Sequence, residues 1–97
     1  MVHYVTGKVN RMYVNRLALE IRLDIDPKIL AADKYFVLRV THPNYNALYS
    51  LALAAAVNRL PLGIRTEGEI ADAVKAGKNP EVDYFVQDWA PGQDGPQ

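Results

Sequence analysis

The 97-residue chain contains no cysteine, one serine and one tryptophan, and neither sign of charge prevails, since eleven Lys and Arg offset eleven Asp and Glu. Without thiols there is no disulfide framework and no thiolate-bound metal. Balanced charge removes the basic signature common among nucleic-acid binders and the acidic signature of solvating tails. Ser50 lies inside an apolar run, and the glycines between Gly7 and Gly77 are scattered, so neither a serine nucleophile in a recognisable setting nor a phosphate-cradling loop is present. Long apolar runs are missing too. Ala47 to Val57, interrupted only by Ser50, is about half of the roughly 20 residues a helix needs to cross a bilayer, so no membrane span is expected. The segment Met1 to Lys8 has neither a charged nor a continuous apolar stretch of the export type, so no signal peptide is expected and the default placement is cytoplasmic.

What is present is 49% apolar and 23% charged residues, the composition of one small globular domain. That domain is expected over residues 1–89, with residues 90–97, all Gly, Pro, Ala or polar, as a flexible tail. A chain this short buries only roughly 60–65% of its unfolded surface, so self-association would add to a thin core.

Hydrophobic periodicity orders the elements. Val2 to Asn15 is β-rich, but its apolar parity changes between Val9 and Met12, which a bulge explains. Leu17, Leu19, Ile21, Leu23 and Ile25 alternate strictly with small or charged residues, and Asn15-Arg16 makes this second strand an antiparallel neighbour of the first. Lys34 to Thr41 forms a third strand with Phe36, Leu38 and Val40 inward. Pro43 supplies helix-start chemistry, with Thr41 or Asn44 as cap, for a helix to about Asn58. Leu62 to Thr66 is a fourth strand, Thr66-Glu67-Gly68-Glu69 a capping-box pattern opening a short helix to Gly77, and Val82 to Trp89 a fifth strand. The main pattern, β-β-β-α-β-β with one central helix, is that of a five-stranded oligonucleotide/oligosaccharide-binding barrel, in the α+β class and mainly β. An open α+β sheet with the helix on one face is the competing architecture.

The central helix is apolar nearly all round. Leu48, Leu51, Ala52 and Ala55 form one stripe, and Tyr49, Leu53, Ala56 and Leu60 form another. A domain this small covers one side with its own sheet, so the second stripe is expected to meet another subunit. Charge is also divided along the chain. Residues 1–65 hold nine Lys and Arg against four Asp and Glu, whereas residues 66–97 hold two against seven, an arrangement suited to head-to-tail contacts.

The outward parity of the second and third strands carries Arg22, Tyr35 and Arg39, with Glu20 and Asp24 among them and Lys8, Arg11 and Tyr13 beside them. Aromatic rings there stack on bases or sugars and cations meet phosphates, so Arg22, Tyr35 and Arg39 are the candidate ligand-binding residues. His3 and His42 have no carboxylate at motif spacing, and Asp24 and Asp26 share a strand face without a third ligand, so neither catalysis nor a metal or cofactor is expected.

With the strand–helix–strand order in hand, the chain resembles the pentameric receptor-binding subunits of bacterial A–B toxins. The likeness is one of pattern over most of residues 2–89 and centres on Pro43-Asn44-Tyr45-Asn46-Ala47-Leu48-Tyr49-Ser50-Leu51-Ala52 running through Leu62-Gly63-Ile64-Arg65. The chain departs from that family in lacking a cysteine pair and a visible export signal. The resemblance implies a non-enzymatic barrel in a homo-oligomeric ring of five, its helix facing a central pore, with a glycan or protein as ligand. The alternative is a single-stranded nucleic-acid-binding domain using Arg22, Tyr35 and Arg39.

Overall fold

A computed structural model of the chain describes residues 2–87. In chain order they form β1 (Tyr4–Val14), β2 (Ala18–Asp24), β3 (Phe36–Arg39), α1 (Tyr45–Val57), β4 (Pro61–Thr66), α2 (Ile70–Lys75) and β5 (Val82–Val86). The five strands make one sheet in the order β3-β2-β1-β4-β5, every neighbouring pair antiparallel. No described helix is long and apolar enough to cross a membrane.

β1 serves two ladders because it bends. Its first half pairs with β4 from Tyr4 to Lys8, and its second half pairs with β2 from Lys8 to Val14. Gly7 stands at the crossover, where a Cβ would lie 2.6 Å from the Asp24 carbonyl oxygen, so only glycine lets the backbones approach this closely. Asn10 is the extra residue in the register shift between Val9 and Arg11, which is the bulge expected from the parity change.

The turn into β2 is held by Asn15, whose Oδ1 accepts the N–H groups of Leu17 and Ala18 at 2.9 Å. This places Leu17 in the turn, 67% exposed, instead of on the core face its parity predicted. Val40 is likewise exposed, because β3 ends at Arg39. Leu19, Ile21, Phe36, Leu38, Leu62 and Ile64 are fully buried, and α1 closes this core with Leu48, Ala52 and Ala55. Each large apolar side chain so buried contributes roughly 1.5–3 kcal/mol. Thr66 is the buried polar residue of the core set, and its hydroxyl donates to the Gly68 carbonyl.

The expected closed barrel is not what forms. The sheet is open between its edge strands β3 and β5, which meet at a single parallel bridge, Val37 to Glu81, where the Val37 N–H donates to the Pro80 carbonyl at 2.9 Å. Pro80 has no N–H to return, the Glu81 carbonyl is taken by the Glu67 N–H at 3.0 Å, and β3 has only four residues. The element order is accordingly β-β-β-α-β-α-β, with α2 added to the main pattern β-β-β-α-β-β. The capping box at its start is also not made, since Thr66 is engaged with Gly68 and the cap position is Glu69. Gly77 ends α2 with φ of 70°, as its position in the sequence predicts. β5 stops at Val86, and Trp89 and the tail expected over residues 90–97 lie outside the described residues.

Candidate functional site

An open cleft of about 950 Å³ lies over the outward side of β2 and β3. Its walls are the Asn15–Leu17 turn and the Gly77–Asn79 loop between α2 and β5, and Ala18, Glu20 and Val37 also line it. Val37 belongs to the outward parity of β3, yet it is only 8% exposed because the chain at Pro80 and Glu81 crosses it. Glu20 is fixed on one side, where its Oε2 accepts from Asn15 Nδ2 at 3.2 Å. Its Oε1 is shielded from solvent and has no partner.

The far side of the cleft is an ion pair. Arg39 Nε donates to Glu81 Oε1 at 2.8 Å, directly above the β3–β5 seam, with the two side chains 52% and 42% exposed. Beyond it a second cleft of about 550 Å³ extends along Thr41, His42, Glu67, Asp83 and Tyr84 to the start of α1, and Arg39 and Glu81 line this one as well.

His42 has both ring nitrogens on the backbone. Nδ1 accepts the Asn44 N–H at 3.0 Å, so Nε2 carries the proton it shares with the Asp83 carbonyl at 2.8 Å. The imidazole thus takes the place of a side-chain cap at the start of α1, where Asn44 makes no side-chain capping bond, and it ties α1 to β5. Among the described residues no group of three His, Cys, Asp or Glu side chains is placed to hold a metal ion.

The structure brings two of the three predicted ligand-binding residues together and separates the third. The Arg22 guanidinium lies 5.8 Å from the centre of the Tyr35 ring. Tyr13 meets Tyr35 edge to face with centroids 5.2 Å apart, and the Arg11 guanidinium lies 6.0 Å from the Tyr13 ring. Asn10, displaced by the bulge, orients Arg22 by accepting from its Nε at 2.8 Å. Arg39 stands apart from this cluster at the seam, with Glu81. Sequence reasoning missed Glu81, Lys78 and Asn79, whose place opposite β3 depends on long-range pairing. The only signal for them was the length of the Gly77–Pro80 connection.

On α1, the stripe of Leu48, Ala52 and Ala55 is buried and Leu51 partly so. In the other stripe Leu53 is 46% exposed, while Tyr49, Ala56 and Leu60 are half-buried. Val57 is more exposed still, at 71%, and no residue from Tyr45 to Asn58 is charged.

Protein-family models, curated proteins and solved structures were all compared with this chain, and none matches it.

Proposed function

We propose that this protein is a non-enzymatic binding module, an open five-stranded sheet packed on α1, that assembles into a homo-oligomeric ring and presents a glycan-binding cleft. The observation that carries this reading is the cleft over β2 and β3. It is large enough for a small-ligand site, roughly 300–1,000 Å³, and it combines the exposed apolar side chain of Leu17 with the polar side chains of Glu20, Lys78 and Asn79. Hydroxyl groups of a sugar match such donors and acceptors, and the Leu17 side chain suits a sugar face. The backbone commitments of His42 support a role in structure over one in proton transfer. Assembly through α1 is supported by an uncharged helix that leaves Leu53 and Val57 open to solvent. The resemblance to toxin receptor-binding subunits puts the ring at five copies.

The test is binding of labelled protein to an array of immobilised glycans, alongside its mass by light scattering. Binding lost in Glu20→Ala, and a mass several times 10.8 kDa that falls to the monomer in Leu53→Glu, are the expected results. Absence of binding to every glycan would end the glycan reading, and a monomeric wild type would end the ring.

A second reading is favoured by a separate observation, the cluster of Arg11, Tyr13, Arg22 and Tyr35. Two tyrosine rings flanked by two guanidinium groups form a stacking platform for single-stranded nucleic acid. On that reading oligonucleotide affinity falls steeply with salt and is lost in Tyr35→Ala. Salt-insensitive or absent binding would remove it.

A further inference from the structure

The two clefts are separated by one pair of side chains. Arg39 and Glu81 line both, and beneath them runs the seam where β3 and β5 share a single bridge. We propose that the two clefts are one groove, and that it takes a linear, uncharged oligosaccharide lying across the Arg39–Glu81 pair. The inference rests on the glycan-binding reading above and adds the ligand's length, its charge and its central contacts.

Length follows from the divider. An exposed ion pair contributes little, so a ligand whose hydroxyls meet both charged groups displaces it readily. Both side chains are roughly half exposed and reach across the seam from opposite strands. A single sugar fits in either cleft alone and leaves the pair untouched. A chain of several sugars crosses the pair, and each partner then bonds to the ligand.

Charge follows from the ends of the groove. Setting the central pair aside, Arg16 and Lys78 stand with Glu20 at one end, and Glu67 and Asp83 stand at the other. A polyanion such as a nucleic acid would be attracted at the first end and repelled at the second, and a polycation the reverse. Only a chain without repeated charge satisfies both. Both ends also supply acceptors and donors for hydroxyl groups, Lys78 and Asn79 at the first and Asp83 and Tyr84 at the second.

A ligand across the seam also touches both edge strands at once. It therefore acts as a clasp where the sheet has only one bridge, and the Val37 amide, bonded to Pro80 over the seam, reports this directly.

The experiment is a titration of the wild type, Arg39→Ala and Glu81→Ala with linear glucose, mannose, galactose and N-acetylglucosamine oligomers, from monomer to hexamer. Hydrogen exchange at Val37 is followed with the shortest and longest chains. In at least one series affinity is expected to rise about tenfold or more with length. Each variant should lose most of that gain, so that the ratio of longest-chain to monomer affinity collapses, and Val37 exchange should slow only with long chains. Binding that is independent of length, or unchanged in both variants, would overturn the groove and leave the single-cleft reading intact. Binding confined to sialylated or sulfated glycans would overturn the uncharged ligand. Binding to no glycan at all would overturn the proposed function, and this inference with it.

Discussion

The exposed side of α1 and the clefts at the β3–β5 seam are both open to solvent, but they are made of opposite materials. From Tyr45 to Asn58 α1 has no charged residue, while the clefts are lined by arginine, lysine, glutamate and aspartate from four separate parts of the chain. A surface without charge gains by losing water against another apolar surface. A surface of fixed, partly unmet hydrogen-bonding groups gains by meeting a polar ligand of the right shape. The difference is what underlies the proposed assignment, with protein contact on the uncharged side and a small polar ligand on the charged one.

The comparison is sharpened most by the largest substitution effect. Leu48→Ala, on the buried face of α1, is expected to cost about 2–4 kcal/mol in urea unfolding, while Leu53→Ala on the open face costs less than about 1 kcal/mol in the monomer. Equal costs would mean that α1 has no open side. Gly7→Ala comes next, at about 1–3 kcal/mol, because the new methyl group meets the Asp24 carbonyl oxygen and pushes apart the two strands that hold the outward face. Arg59→Gly runs the other way. Arg59 follows α1 with φ of 56°, and the Leu60 N–H bonds back to the Ala55 carbonyl at 2.9 Å, a helix ending that favours glycine. The substitution should raise the unfolding free energy by about 0.5–1 kcal/mol without altering ligand affinity. The smallest effect belongs to the seam, where a double-mutant cycle on Arg39 and Glu81 should give a coupling of about 0.2–1 kcal/mol, given their exposure. A coupling well above that would make the pair a structural lock and set the clefts apart.

What the chain spelled out locally, the fold kept. Strict alternation from Leu19 to Leu23 marked the inward face of β2 and the parity change between Val9 and Met12 marked the bulge at Asn10, while of the two stripes on α1 it took the fold to show that Leu48, Leu51, Ala52 and Ala55 face the core, Leu51 half-buried. Arg22 and Tyr35 were readable as partners because adjacent antiparallel strands put equal parities side by side. Closure of the sheet was not readable in the same way, since it depends on how far β3 extends and on Pro80 arriving opposite Val37. The partner of Arg39 was unreadable for the same reason. Glu81 lies beyond α1, β4 and α2 in the chain, and no spacing rule connects them. Leu17 and Val40 show the remaining limit, for parity continued one residue past a strand's end predicts burial that the end itself removes.

Lys8 belongs to both ladders of β1, facing Asp24 on one side and Pro61 on the other. That shared residue divides the molecule in time as well as in space. The β1–β2 hairpin closes through a tight turn at Asn15 and forms on a scale of roughly microseconds. The β1–β4 ladder must first gather β2, β3 and α1 between its strands, at a larger entropic cost of closure. The shorter loop closure is expected to bring Arg11, Tyr13 and Arg22 together before Tyr4 and Thr6 meet β4, an order that pulse-labelled hydrogen exchange during refolding checks.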